Sequence, residues 1–250
     1  MCSLIVLRRP THEHWPVLIA ANRDEATSRP WRPPGRHWPE RPEVRAGIDE
    51  AAGGTWLGIN DDGLVAAVLN RRGTLGAQAG KRSRGELVLE ALDHADAEAA
   101  AGALAHVDPD AYRPFNLIVA DPLDAFWIRH AGDGMISAMP LLDGWTMATA
   151  GEPNDPTSAR TRRYLPLFRR AAVPEPACDA RGGDWTDWRL LLASRATESG
   201  DPVDAMCIRT DRDYGTVCSS LIALPAEVGA APLWLFADGP PDTSSFERVD

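Results

Sequence analysis

A cysteine at position 2 could combine a nucleophile and a base in one residue. Cysteine is small enough for Met1 to be removed in front of it, which would leave Cys2 with a thiol and a free α-amine. The ordinary pKa values of these groups, about 8.5 and about 7.7, are close enough for proton transfer near neutral pH. We therefore predict that the Cys2 thiolate attacks and that the amine carries the proton. The competing interpretation is a small apolar strand residue.

A polar tetrapeptide directly follows the apolar run VLIAA at 17–21. Its members are Asn22, Arg23, Asp24 and Glu25. At the end of a strand these side chains can point at the first residue of the neighbouring strand. There Asp24 could orient the α-amine, and the charge of Arg23 would favour the thiolate. We predict Asp24 and Arg23 as catalytic and Asn22 and Glu25 as substrate-binding. A solvated turn with paired charges is the alternative.

Two further features could contact a ligand. Trp31 lies on the proline-rich excursion at 26–50, which is predicted to be irregular and could line a cleft. Arg71 begins a glycine-containing basic loop that could grip a carboxylate or phosphate. Such basic groups are usually solvated faces, and we expect this of a second group on a helix at 156–172. The members of that second group are Arg160, Arg162, Arg163, Arg169 and Arg170.

Composition narrows the classes of function. The chain has 250 residues with 26 basic and 36 acidic side chains, and its net charge of -10 argues against nucleic acid and anionic membranes as partners. Arg8 and Arg9 interrupt the first apolar run, so neither a signal peptide nor a membrane span is predicted. The four cysteines are too few and too irregularly spaced for a disulfide scaffold and form no CxxC pattern, which predicts reduced thiols, a cytoplasmic location and no metal site. We also predict no cofactor.

The order of elements predicts an α+β fold. Short apolar strands occur in consecutive blocks, and these blocks are separated by a helix within 83–108 and by two helices between 156 and 199. Blocks of this kind favour packed antiparallel sheets with helical layers outside, which makes a four-layer αββα sandwich plausible. We predict a single domain over residues 1–250, with a loose tail from about residue 241.

Several ordered motifs carry a resemblance to a known family. They are MCSLIV at the start, ANRDE at 21–25, GTWLGIN at 54–60, FNL at 115–117 and YGT with Ser219 at 214–219. Together they resemble the NRDE-motif family, also called the transport and Golgi organisation protein 2 family, and the chain looks like a bacterial member. The family is thought to share the N-terminal-nucleophile hydrolase fold of penicillin and bile-salt acylases.

This resemblance implies roles for particular residues. Cys2 would be the nucleophile and Asp24 would match the aspartate of the acylases' Arg-x-x-Asp motif, whereas Ala21 stands at the arginine position. Asn70 would donate a side-chain N–H to the oxyanion, or it is a hydrogen-bonded turn residue. Asn154 is the candidate for a second, substrate-binding asparagine, or it merely precedes a helix cap.

The predicted function is that of a cofactor-free cysteine amidohydrolase or acyltransferase. Cys2 would form a thioester with a small acyl or amide substrate, and water or an amine would release the acyl group. The alternative is a binding or trafficking protein on the same fold that handles haem, an acyl thioester or another lipid ligand. Fold alone does not choose between these two functions.

Overall fold

The computed structural model describes residues 2–179, 182–227 and 229–249. The chain divides into two compact units. The first comprises Met1–Ser28, Asp143–Ala226 and Pro232–Asp250, and the second comprises Arg29–Leu142 and Glu227–Ala231. Each unit contains an antiparallel sheet, so the predicted α+β class with two antiparallel sheets is confirmed. The single domain over residues 1–250 stays a prediction.

The first unit is built on a sheet of order β10-β1-β2-β11-β12-β13. Its strands are β1 (Ser3–Arg8), β2 (Val17–Glu25), β10 (Gly144–Ala148), β11 (Gly215–Leu224), β12 (Leu233–Ala237) and β13 (Phe246–Arg248). Two helices, α3 (Ala159–Arg170) and α4 (Thr186–Leu192), belong to the same unit. Leu18 and Ala20 of β2 share a buried apolar cluster with Tyr164 and Phe168 of α3 and Trp188 of α4. One face of β2 therefore packs against these two helices.

The second unit has a sheet in which neighbouring strands follow chain order, β3 to β9. Its strands are β3 (Trp31–Gly35), β4 (Arg45–Asp49), β5 (Leu57–Ile59), β6 (Val65–Asn70), β7 (Phe115–Ala120), β8 (Ala125–His130) and β9 (Ile136–Pro140). Helices α1 (Gly85–Leu92) and α2 (Ala97–Leu104) contribute to its core. Leu87 and Leu104 pack there with Leu117 and Ile128 of the sheet. The hairpin that we predicted around the Asp-Gly turn is formed by β5 and β6.

Three predictions about elements were wrong. The excursion at 26–50 contains β3 and β4, which pair with each other despite the prolines because their register shifts between Arg32 and Gly35. The helix within 83–108 is two helices, since the Asp96 side chain caps a new helix by accepting the backbone N–H of Ala99. The helix predicted at 156–172 is shorter and spans Ala159–Arg170, because the Ser158 side chain caps its start by accepting the backbone N–H of Thr161.

The C-terminal tail is also more ordered than we predicted. Strand β13 lies within the part expected to be loose from about residue 241, and it pairs with β12. Val249 donates its backbone N–H to the carbonyl oxygen of Trp234 at 2.9 Å. The unpaired edge of a buried strand attracts a further strand, which explains why this segment is ordered.

Candidate active site

The Cys2 thiol lies against the backbone of Asp24. Its Sγ accepts the backbone N–H of Asp24 at 3.5 Å and donates to the carbonyl oxygen of the same residue at 3.7 Å. This proximity follows from the pairing of β1 with β2, in which Ser3 stands opposite Asn22. Burial is the largest cause that raises the pKa of the Cys2 thiol, and the negative charge of Asp24 raises it further. The positive charge of Arg23 lowers this pKa. Cys2 and the NRDE tetrapeptide therefore meet.

The Asp24 carboxylate is buried and held by two side chains of the same unit. Its Oδ2 accepts a hydrogen bond from the Arg160 guanidinium at 2.9 Å, and its Oδ1 accepts one from the Thr216 hydroxyl at 2.6 Å. Charge-assisted bonds of this kind are short and directional. The carboxylate is therefore fixed next to the first residue of β1.

A β-bulge in β11 places two hydroxyl groups against the tetrapeptide. Thr216 stands opposite Asp24 and Ser219 opposite Asn22, and the register shifts between Thr216 and Cys218. Side chains three residues apart in a regular strand point to opposite faces of the sheet. The extra residue, Val217, puts Thr216 and Ser219 on the same face. The YGT-x-x-S motif thus supplies the hydroxyls that hold the NRDE motif.

Asn22 has a structural part in this arrangement, and its contact with substrate stays a prediction. The residue is only 1% exposed. Its Nδ2 donates to the carbonyl oxygens of Leu192 at 3.0 Å and Met206 at 2.8 Å, and its Oδ1 accepts the hydroxyl of Ser219 at 2.6 Å. Both amide hydrogens are therefore engaged in holding β2 to the segments around it.

Arg160 is the functional residue that the sequence analysis missed. We predicted it as part of a solvated face, but it is 4% exposed. It precedes Tyr164 by four residues and Phe168 by eight, and all three lie on the buried face of α3. This i, i+4, i+8 spacing is the signal that could have identified it. Arg162, Arg169 and Arg170 are exposed, as we predicted for the group.

The other two members of the tetrapeptide take different positions. Arg23 is 5% exposed and stands opposite Cys218 in the pairing of β2 with β11. Its positive charge lowers the pKa of the Cys2 thiol. Glu25 is half-buried at the end of β2, where its Oε1 accepts the backbone N–H of Ala26 at 2.9 Å. Their roles in catalysis and substrate binding stay predictions.

Tyr214 is a second residue beside the thiol that the sequence analysis did not select. Its hydroxyl lies 3.5 Å from the carbonyl oxygen of Asp24, the atom that the Cys2 thiol also contacts. Burial raises the pKa of Tyr214, and the charges of Asp24 and Cys2 add to the increase. The phenol therefore stays protonated at neutral pH and is a hydrogen-bond donor.

Three predicted site residues belong to the second unit. Asn70 is the half-buried last residue of β6, Arg71 donates to Oδ1 of Asn116 at 2.7 Å, and Trp31 stacks edge-on against Trp56 with ring centroids 5.7 Å apart. The oxyanion role of Asn70 and the substrate contacts of Arg71 and Trp31 stay predictions.

Asn154 uses its side chain to extend the edge of β10, and its contact with substrate stays a prediction. Its Oδ1 accepts the backbone N–H of Met147 at 2.7 Å, and its Nδ2 donates to the carbonyl oxygen of Trp145 at 3.0 Å. Its φ angle of 58° lies in the left-handed region, which asparagine tolerates better than most residues. The amide thus acts in place of a neighbouring strand.

The other three thiols differ from one another in exposure. Cys207 and Cys218 are buried in the first unit, and burial raises the pKa of both, that of Cys207 to about 12. Cys178 is exposed.

Within residues 2–179, 182–227 and 229–249, no three His, Cys, Asp or Glu side chains group as metal ligands would. None of the helices in these ranges has the length and apolar composition needed to cross a bilayer.

Solved structures of acylases and amidases share this fold. A Caenorhabditis elegans N-acylethanolamine-hydrolyzing acid amidase ortholog matches with a TM-score of 0.57 at 14% identity, over 88% of this chain and 92% of that chain. Penicillin V acylase from Agrobacterium tumefaciens matches with a TM-score of 0.51 at 16% identity, over 95% of this chain and 83% of that chain. Conjugated bile acid hydrolase from Clostridium perfringens matches with a TM-score of 0.52 at 13% identity, over 100% of this chain and 97% of that chain. These similarities show the predicted N-terminal-nucleophile hydrolase fold.

Sequence comparisons give the family. Residues 1–142 match the family model described as Transport and Golgi organisation 2. A Transport and Golgi organization protein 2 homolog from Bos taurus is 30% identical over 251 residues, and one from Homo sapiens is 36% identical over 242 residues. Each alignment covers 84% of this chain and 83% of the relative. The chain belongs to this family, as predicted. Because these relatives are mammalian, bacterial origin stays a prediction.

Proposed function

We propose that this protein is an N-terminal cysteine amidohydrolase or acyltransferase that acts on a small acyl or amide substrate. The observation that carries the proposal is the contact of the Cys2 thiol with Asp24, whose carboxylate is fixed by Arg160 and Thr216. A nucleophile beside an oriented polar group is the arrangement that covalent catalysis requires. In this proposal, Met1 is removed and the α-amine of Cys2 serves as the base.

The reaction proceeds through a thioester. The α-amine takes the thiol proton, and the sulfur attacks the carbonyl carbon of the amide to form a tetrahedral oxyanion. Collapse of this intermediate breaks the C–N bond, and the ammonium returns its proton to the leaving amine. Water then attacks the thioester and releases a carboxylic acid, or a second amine takes the acyl group.

The named acylases support the class of substrate. The solved structures that share this fold are named for hydrolysis of N-acylethanolamines and of conjugated bile acids. Both names describe small molecules with an acyl–amine linkage. We therefore propose a substrate of this class, with a free acid and an amine as products.

We further propose that the protein acts in the cytoplasm, and fractionation of cells against a periplasmic or membrane marker tests this location.

The decisive experiment combines intact mass with active-site labelling. The mature chain is expected to begin at Cys2, and a retained or acetylated Met1 would contradict the proposed base. Labelling uses a Cys178→Ser protein, because the exposed Cys178 would otherwise react with any thiol reagent. Incubation with acyl amides should leave an acyl mass on the peptide that contains Cys2. Cys2→Ala should abolish this adduct and turnover, and it serves as the matched control.

A second function is favoured by the state of the thiol. Burial raises the pKa of Cys2, which keeps the thiol protonated near neutral pH and slows nucleophilic attack. A thiol of this kind fits a protein that binds haem, an acyl thioester or another lipid ligand without reacting. If Cys2→Ala retains the affinity for such a ligand and the cellular function, this alternative replaces the enzyme.

A further inference from the structure

The Arg160 guanidinium connects three segments of the first unit. It donates to the Ser3 hydroxyl of β1 at 2.7 Å, to the Asp24 carboxylate of β2 at 2.9 Å and to the carbonyl oxygen of Val203 at 2.6 Å. Its side chain is 5% exposed, and that of Asp24 is fully buried. A forked guanidinium can make all three bonds at once, which the compact ammonium group of a lysine cannot.

The charge of this pair matters for the thiol. The negative charge of Asp24 raises the pKa of Cys2, so an isolated Asp24 carboxylate would disfavour the thiolate. Arg160 donates to that carboxylate at 2.9 Å, and a cation in direct contact with a carboxylate offsets its negative charge.

We propose that Arg160 is the positioning residue of the Cys2 site, which holds the Asp24 carboxylate in place and offsets its negative charge at the thiol. Arg160 comes from α3, whereas the groups it aligns come from the first two strands. Its effect on turnover rests on the proposed function, but its effect on the ionisation of Cys2 does not. The two can therefore be measured separately.

Several other charged or titratable groups face Cys2 and must be kept constant. They are Arg23 of β2, Cys218 of β11 and Tyr214 directly before β11. None of them is altered in the variants below, so a change between variants reports the pair of Arg160 and Asp24.

The experiment measures the rate of Cys2 alkylation by iodoacetamide as a function of pH in the Cys178→Ser parent. We expect Arg160→Met to move the midpoint of the profile upward by about one pH unit, since the charge of Asp24 is then no longer offset. Arg160→Lys keeps the charge and should stay within about 0.3 of the parent midpoint. Asp24→Asn combined with Arg160→Met removes both charges and should restore the parent midpoint.

A matched control lies on the same helix. Arg162 is exposed and pairs with Glu198, so Arg162→Met should leave the midpoint unchanged. An unchanged midpoint in folded Arg160→Met, or a shift that persists in the double variant, would overturn the proposal. If Arg160→Met does not fold, the double variant is compared with Asp24→Asn alone. Equal midpoints then support action through Asp24, and a difference above about half a unit contradicts it.

The outcome separates this proposal from the proposed function. If no acyl amide is turned over but the midpoints are as expected, the proposed enzymatic function is contradicted. The proposal that Arg160 sets the ionisation of Cys2 is then still supported. Complete resistance of Cys2 to alkylation at every pH would overturn the positioning role, because no accessible thiolate would exist.

Discussion

At the scale of single residues, the site depends on buried hydrogen bonds between side chains. Asp24 accepts from Arg160 and Thr216, and Asn22 accepts from Ser219. Polar groups removed from water in this way destabilise the fold when one partner is deleted. Substitutions that keep the hydroxyl should therefore differ sharply from those that remove it.

Thr216 allows this to be tested with nearly isosteric variants. Thr216→Val removes the hydroxyl that Asp24 accepts at 2.6 Å and also leaves the backbone N–H of Ile208 without its 2.8 Å acceptor. We expect the free energy of unfolding to fall by about 2–4 kcal/mol, because two buried polar groups lose a partner. Urea denaturation followed by circular dichroism measures it. Thr216→Ser keeps the hydroxyl and should cost less than about 1.5 kcal/mol; equal losses in both variants would contradict this explanation.

At the scale of elements, the bulge in β11 links two motifs that are distant in sequence. Thr216 and Ser219 reach the same face of the sheet because one extra residue interrupts the alternation. A regular β11 could place only one of them against β2 on that face. The bulge is thus the local feature that lets the YGT-x-x-S motif support the NRDE motif.

Deletion of Val217 tests the function of the bulge. The deletion should restore regular alternation and turn either Thr216 or Ser219 away from β2, since a slip of one residue exchanges the faces. We expect a loss of several kcal/mol in the free energy of unfolding and loss of selective labelling at Cys2. Val217→Ala keeps the chain length and is the matched control, with an expected loss below about 2 kcal/mol. A deletion variant as stable as this control would show that the bulge is dispensable.

At the scale of the whole molecule, net charge bears on the class of ligand. Binding to DNA and RNA is driven by cationic side chains that displace counterions from phosphates, and a protein with a net charge of -10 is repelled overall by such polyanions. The fold is shared with solved structures that differ widely from this chain in sequence, at 12–16% identity. Fold similarity of this kind is compatible with catalysis and with binding.

A binding experiment tests the exclusion of nucleic acid. Fluorescence anisotropy with a labelled DNA duplex and a labelled single-stranded RNA should show no saturable binding at physiological salt. Lowering the salt concentration should not produce binding either, because the overall electrostatic interaction is repulsive. Saturable binding that weakens with added salt would reveal a local cationic surface and contradict the prediction.

The sequence by itself determined the family, the α+β class and the meeting of Cys2 with Asp24. Several motifs in a fixed order indicate the family, and blocks of apolar strands separated by helices indicate the α+β class. The two site residues could be brought together because Cys2 directly precedes β1 and Asp24 lies near the end of β2, and the antiparallel pairing of these strands follows from a short connection. Such local and nearest-neighbour relations are visible in a one-dimensional pattern.

Only the tertiary structure decided which side chains complete the site. Arg160 lies 136 residues from Asp24, and Thr216 lies 192 residues from it, so neither contact is encoded in local spacing. The structure also assigned Asn22 and Asn154 to backbone carbonyls and amides that sequence patterns do not show. Burial of a charged or amide group depends on packing by segments distant in the chain, and the hydrogen bonds that compensate for it exist only once those segments meet.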